Sequence, residues 1–356
     1  MFEPWIVLAS LAVEAVVGYP AALHARIPHP VVWVGNAIGA LERMWNRPRY
    51  SFGVRRGLGV LAVVLVVGAA VGLGVVIQWG VEAAAGVVAV GGVGGAALAG
   101  GGGGAVGAGV AAAAGGALAA QVVAMAVVAI VGTVGLAQRS LFEHVNSVLV
   151  SLRAGDLQKS RERVSMIVGR DTRQLDAGGV SAAALESLAE SFNDGIVAPA
   201  FWFLIAGLPG LFAYKVLNTA DSLIGHKEEQ WRAFGWAAAR ADDVANLIPA
   251  RIAGALLAIA GFGGFGVMFS DASKHASPNA GWPEAAMAGA LRVRLGGPAT
   301  YDGVVHERPV FGSGPVPGVA ELGRGLRIYV IACALMWLII AALGVLSRDW
   351  QVPWLP

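Results

Sequence analysis

The chain of 356 residues predicts an all-α, polytopic membrane protein, and three observations carry that prediction. It is 56% hydrophobic and only 13% charged, with a mean hydropathy of +0.67. The runs Gly57 to Gly80, Ala117 to Ala137 and Ile328 to Leu346 are each close to the roughly 20 residues that carry a helix across a bilayer. Backbone groups in lipid must be bonded within the chain, which makes helices the expected form. The lipid bilayer is therefore the first expected partner, and residues 1–356 read as a single integral-membrane domain. A net charge of +2 without a dense Lys/Arg tract argues against nucleic acid. The one cysteine, Cys333, lies in the last apolar run, which excludes an intramolecular disulfide and points to packing.

Trp5 to Val17 carries Glu14 and has no basic leader, so it reads as a short first membrane helix rather than a cleaved signal. Pro28 and Pro30 break the chain, and from Val31 to Trp45 apolar residues recur at helical spacing, predicting an amphipathic helix along the membrane surface. Arg43, Arg47, Arg49, Arg55 and Arg56 then flank the second membrane helix and mark that end as cytoplasmic. Residues 83–120 are almost wholly Gly, Ala and Val, and read as a loose linker or a poorly packed membrane helix. Gly102, Gly104 and Gly107 have dinucleotide-loop spacing, but no strand precedes them and neither the required acid nor a Lys-Ser/Thr follows.

Three polar blocks follow, 138–195, 214–251 and 270–327, the first with caps and breaks expected at Gly155-Asp156 and Gly178-Gly179. They are separated by two short apolar stretches: Ile196 to Phe212, interrupted by Pro199, Gly207, Pro209 and Gly210, and the glycine-rich Ile252 to Phe269. If both stretches span, the middle block faces the opposite side from its neighbours. If both are re-entrant, all three blocks share one side, and this arrangement is favoured because the chemistry below needs the blocks together.

The first block holds Glu186, Glu190 and Asp194 at i, i+4 and i+8, one stripe of a helix on which like charges repel. A metal, a ligand or an arginine must offset them. They are candidate catalytic acids, with Asn193 beside them, and Mg²⁺ is the ion expected for one or two carboxylates plus substrate phosphates. The alternative is a solvated face or ion pairing with Arg161, Arg163 or Arg170. Upstream, the VGRDT segment offers Arg170 and Asp171, with Arg173, as an oxyanion clamp, or else as a surface ion pair. In the middle block Asp242 and Asn246 fall at i, i+4, and Asp243 lies near Arg240; Asp221, Lys215, Lys227 and Arg251 complete a mixture suited to ATP with Mg²⁺ and a second anion. The alternative there is a surface hairpin anchored by Trp231 and Trp236. In the third block Pro283 and Glu284 suit a first helical turn, and His275 reads as a base, a ligand or a structural histidine, as do His24 and His29. There is no H-E-x-x-H, no paired cysteine set and no Ser/His/Asp arrangement.

Five segments together resemble one known family: HPVVWVGNAIGALE (29–42), GDLQKSRERVSMIVGRDT (155–172), ESLAESFNDGIVAPAFW (186–202), NTADSLIGHKEEQWRAFGWAAARADDVANLIPAR (218–251) and SPNAGWPEAAMAGAL (277–291). They are similar to the CbiB/CobD membrane proteins of cobalamin biosynthesis, the adenosylcobinamide-phosphate synthases, over nearly the whole chain outside the Gly/Ala tract. The resemblance implies an amide ligation in which adenosylcobyric acid is joined, at the expense of ATP, to (R)-1-amino-2-propanol or its O-phosphate. It further implies Mg²⁺, a site facing the cytoplasm from the inner membrane, and contact with other late cobalamin-assembly proteins. On that reading Glu186, Glu190, Asp194 and Asp242 are catalytic, and Glu190, Asp194 and Asp243 hold metal. Arg170, Asp171, Asn193, Asp221, Lys227, Arg240, Arg251, His275 and Asn279 bind substrate or phosphate. A non-catalytic membrane sensor of similar architecture and a transporter are the alternatives; the latter predicts an inverted repeat, which the sequence does not display.

Overall fold

The computed structural model describes residues 4–19, 26, 28–98, 103–301 and 303–348, and for 88–98, 103–113 and 348 the backbone alone. His24 and Gly102 lie outside these residues. Helix α1 (Pro4–Val17) is the short first helix, and α2 (Pro30–Trp45) is amphipathic, with Ile38 its one fully buried residue. Helices α3 (Phe52–Leu98) and α4 (Gly103–Thr133) pack side by side and are joined by four residues, so they run antiparallel. The Gly/Ala tract is thus helical on both sides of 99–102 and not a loose linker. Alanine is the best helix former and lipid leaves the backbone no other partner, which outweighs the glycines. Four helical stretches among the described residues are long and apolar enough to cross a membrane, or five with one bent pair included.

Helices α5 (Gln138–Arg153) and α6 (Leu157–Val164) form the first polar block, with Asp156 capping α6 through the Lys159 amide at 2.9 Å. Asp176 caps α7 (Ala177–Phe192) through the Gly179 amide at 2.7 Å, so Gly178 and Gly179 occupy its first turn rather than a break. Helix α7 is buried over most of its length and forms the centre of the main core, where Leu185, Leu188 and Phe192 have no exposed surface. It runs through a π-helical turn (Asn193–Val197) into α8 (Ala198–Ile224).

Helix α8 reverses on itself. Ala206 (φ −132°, ψ 17°) and Gly207 (φ 61°, ψ −154°) leave helical geometry. The Asn218 amide reaches Asp194 Oδ2 at 3.3 Å and the Tyr214 hydroxyl reaches the Asp194 carbonyl at 3.4 Å. A continuous helix would hold residues 20 apart at about 30 Å. The left-handed φ at the tip needs glycine. The tip is held by α3: the Leu208 amide donates to Gln78 Oε1 at 3.0 Å, and Gly74 leaves room for Pro209, whose nitrogen would lie 2.6 Å from any Cβ there.

The second apolar stretch reverses as well. Helices α9 (Glu229–Arg232) and α10 (Trp236–Ala245) lead to α11 (Leu247–Ala260), bent 50° from α10. The chain turns through residues 261–264 and returns as α12 (Phe265–Asp271), with the Met268 sulfur against Gly254. Helix α13 (Gly281–Leu291) packs on both arms. Two small antiparallel pairs follow, β1 (Leu295–Gly296) with β4 (Val310–Phe311) and β2 (Ala299–Tyr301) with β3 (Val304–His306). Helix α14 (Val319–Arg348) closes the fold. Both short apolar stretches therefore double back on themselves, and the three polar blocks return to one end of the molecule.

Candidate functional site

At that end lies a cavity of about 420 Å³ lined by all three polar blocks. Glu190, Asn193 and Asp194 come from α7 and the π turn; Asp221, Lys227, Arg232, Arg240, Asp242, Asp243 and Asn246 come from the middle block; His275 and Asn279 come from the loop before α13. The π turn widens the helix by one residue, so the consecutive Asn193 and Asp194 both face the cavity. Such turns recur at functional sites.

The residues differ in depth. Asn193, Asp242, Asn246 and Asn279 are buried and form the floor, whereas Lys227, Arg232, Trp236 and Arg240 are exposed and form the rim. One hydrogen-bond chain knits the floor. Asn193 Nδ2 donates to Asp194 Oδ1 (2.7 Å) and to Asn246 Oδ1 (2.8 Å). Asn246 Nδ2 donates to Asp242 Oδ2 (3.0 Å), and its Oδ1 also accepts from the Tyr214 hydroxyl (3.0 Å). Asn279 Nδ2 donates to the Asp243 carbonyl at 2.8 Å, pinning the third block to the middle one. Lys215, behind the floor, attracts both Asp194 and Asp242.

Glu190 projects into the cavity with no hydrogen bond or ion pair among the described residues, and it feels Asp194 and Arg308 electrostatically. Asp243 pairs with Arg240 at 3.0 Å on the rim. Among the described residues no three His, Cys, Asp or Glu side chains converge so as to hold a metal by themselves. Glu190, Asp194 and Asp243 therefore do not form a protein-only metal cage. The lining still fits a Mg²⁺ ion that takes one or two carboxylates and completes its shell from phosphates and water.

Glu186 departs from the expected role. It does not line the cavity: its Oε2 accepts from Arg170 (2.9 Å) and Arg308 (3.0 Å), and its Oε1 accepts from the Gly296 amide (2.9 Å). Of the two alternatives for the acidic stripe, ion pairing with Arg170 holds for Glu186 and an open carboxylate holds for Glu190. Arg170 is spent in that knot. Asp171 is tied to the β2–β3 hairpin, its amide bonding the Thr300 carbonyl at 2.8 Å and its Oδ2 the Gly303 amide at 3.2 Å. The VGRDT segment is a structural clasp, not a clamp within the cavity. Arg251 stacks on the Trp282 ring at 4.5 Å, also away from the cavity.

Two residues not singled out as site residues belong to this region. Arg308 pairs with Glu186 at 3.0 Å; burial disfavours its charge, but Glu186 and Glu284 outweigh this and raise its pKa. Glu284 lies in the first turn of α13, as expected, and is also buried beside His275, Oε1 to Nε2 3.8 Å. Burial, with Glu190 and Glu186 nearby, pushes its carboxyl well above the ordinary range. His275 Nδ1 accepts from the Ser277 amide at 2.9 Å, which places the proton of the neutral ring on Nε2, and burial lowers its pKa. Sequence spacing gave no signal for Arg308, which lies 122 residues from Glu186.

The profile of the CobD/CbiB protein family matches residues 7–329. The chain belongs to the CobD/CbiB family. It is 43% identical over 351 residues to the cobalamin biosynthesis protein CobD of Rhodobacter capsulatus, covering 98% of each chain. It is 41% identical over 343 residues to that of a Sinorhizobium species (93% of this chain, 95% of the relative), and 39% over 348 residues to that of Rhizobium meliloti (95% of each). No solved structure matches. In this CobD/CbiB protein, three of the five motif segments, 186–202, 218–251 and 277–291, supply residues that line the cavity.

Proposed function

We propose that this membrane protein acts in cobalamin biosynthesis as an ATP-dependent ligase that joins a propionate carboxylate of adenosylcobyric acid to the amine of 1-amino-2-propanol or its O-phosphate. The observation that carries this is the convergence of three separated polar blocks on one cavity, acidic at its floor and cationic at its rim. Its volume suits a nucleotide tail and a small amine but not a corrin ring, so the corrinoid presents its side chain from the mouth.

In this reading a carboxylate oxygen of the corrinoid attacks the γ-phosphorus of ATP, the bond to ADP breaks, and an acyl phosphate forms. Lys227, Arg232 and Arg240 hold the anions at the rim. The amine nitrogen then attacks the acyl carbon, the carbon–oxygen bond to phosphate breaks, and Glu190, the carboxylate without a partner, accepts the amine proton. Mg²⁺ bound with the nucleotide would neutralise phosphate charge, and Asp194 would hold it, which leaves Glu190 free to act as the base.

The cavity faces the cytoplasm in this account. Of the 25 Lys and Arg residues, only Arg348 lies at the far ends of the spanning helices, as the positive-inside rule requires of an outer face. The test is to incubate the purified protein with adenosylcobyric acid, ATP, Mg²⁺ and each amine, and to follow the amide by mass spectrometry. Product that requires ATP supports the ligase; none with either amine, from protein that retains its fold, refutes it and leaves a sensor.

A further inference from the structure

Arg251, a cation that the sequence singles out for an anion, has no place in the cavity. Its guanidinium donates to the Leu247 carbonyl and lies 4.5 Å from the centre of the Trp282 ring, and it pairs with no carboxylate among the described residues. Trp282 begins an aromatic row: it meets Phe269 edge-on at 6.0 Å, and Phe269 stacks on Phe265 at 6.4 Å. Along α11, Ile248, Ile252 and Ile259 fall at i, i+4 and i+11, on the same side as Arg251, and all three are exposed, as are Phe265 and Phe269. One exposed face thus carries a cation at one end and apolar side chains over the rest.

Phe262 stands at the tip between α11 and α12. Its φ is 52°, a left-handed backbone that bulky side chains rarely adopt, although glycines suited to it lie on both sides at 261, 263 and 264. The residue is 94% exposed, so no contact within the protein offsets that strain. Its surroundings are set by α14. A Cβ at Gly261 would lie 3.2 Å from Ile328 Cδ1, and Ile328 opens the apolar run of that spanning helix. The tip therefore reaches the depth at which α14 enters hydrocarbon. Arg251 stands ten residues before Gly261, about 15 Å along α11 toward the cavity end. That is longer than the interfacial layer, roughly 5–8 Å on each side of the bilayer core, so the face reaches from headgroups to acyl chains.

We infer that Arg251 and the row Trp282, Phe269, Phe265 form a binding site for an acidic phospholipid of the surrounding bilayer. A guanidinium lying on a ring keeps its in-plane N–H donors for a second partner, and a phosphodiester oxygen suits them. Trp282 covers the guanidinium from one side and gives the charge a neutral, polarisable backing. The acyl chain runs past Phe269 and Phe265 toward Phe262, whose exposed ring then lies in hydrocarbon. Aromatic rings with a cation at the polar end match the boundary between headgroups and acyl chains. A soluble phosphate would use the cation and leave the apolar face uncovered, which is why the occupant is a lipid. The site is separate from the cavity and does not rest on the ligase reading.

The test uses the full chain in detergent micelles, with phosphatidylglycerol that carries a photoreactive diazirine in its acyl chain as the probe. After irradiation, peptide mass spectrometry is expected to find the label between residues 262 and 269. Unlabelled phosphatidylglycerol is expected to displace it about fivefold more effectively than phosphatidylcholine, the factor that one cation near a lipid headgroup supplies. Inorganic phosphate is expected to displace none. Arg251→Gln is expected to make the two lipids equal, whereas Arg251→Lys keeps a preference for phosphatidylglycerol. Label spread evenly over the spanning helices, or equal displacement by the two lipids in the parent protein, would overturn the inference. Displacement by inorganic phosphate would overturn it in favour of a soluble anion, and cross-links between two copies through these residues would overturn it in favour of a dimer. Labelling and displacement in the parent need no variant, so a misfolded Arg251→Gln protein leaves the test intact.

Discussion

Replacing Glu186 by Gln separates an anchoring role from a chemical one. The carboxylate accepts two guanidinium bonds and one backbone bond at 2.9–3.0 Å, and its side chain is 6% exposed, against 9% for Arg170 and 21% for Arg308. Glutamine keeps the shape but removes the charge, and its NH2 must face either a guanidinium or the Gly296 amide. Breaking a buried pair by removing one partner costs about 3–5 kcal/mol, and the partial exposure of Arg308 places this case toward the lower end. The knot ties the 295–311 segment to α7, so the loss falls on that segment and not on the residues that line the cavity. Thermal unfolding in detergent is expected to shift down by roughly 5–10 °C, and limited proteolysis is expected to cut the exposed strand Val304–His306 first. A Glu186→Gln protein that melts and resists protease like the parent, yet forms no amide, would refute this reasoning and return Glu186 to the chemistry.

Other perturbations follow from the same contacts. Gln78→Leu leaves the Leu208 amide unbonded at the hairpin tip and is expected to cost about 1–3 kcal/mol, read as a lower melting temperature; an unchanged melt would mean that the tip is held otherwise. Glu284 has a native pKa raised above 4.5, so its native form binds the extra proton and its contribution to stability is lost as pH rises above 4.5 toward the native value. Glu284→Gln is therefore expected to match the parent below pH 4.5 and to become progressively more stable than it at higher pH, in melts taken across pH. Cysteines placed at Ser222 and Ser313 are expected to be labelled from the same side of the membrane; labelling from opposite sides would contradict the two re-entrant hairpins.

Much of this architecture was legible before the fold was known. The glycines and prolines between 199 and 210 broke an apolar stretch too short to span, and the chain does reverse at Gly207. The helical spacing of Glu186, Glu190 and Asp194 put them on one side of α7, yet spacing cannot tell which acid meets an arginine from a distant segment. Glu186 found Arg308 from the third block, whereas Glu190 found open cavity. The VGRDT segment looked like an anion clamp because its residue types suit one; its guanidinium and carboxylate are instead consumed in holding the β segment. Residues 83–98 and 103–120 carried no amphipathic period, so their helical form was fixed by lipid and by alanine content and not by pattern. The place of Arg251 against Trp282 was invisible for a different reason: it emerges only once α13 packs on the doubled-back second stretch.

Glu190→Gln in the ligation assay tests the central claim most directly, because that carboxylate faces the cavity without a partner and its loss disturbs no contact. The account predicts a melting temperature like that of the parent and a fall of at least a hundredfold, on the order expected for removing a general base, in amide formed at saturating substrates. An undiminished rate from a well-folded Glu190→Gln protein would contradict it.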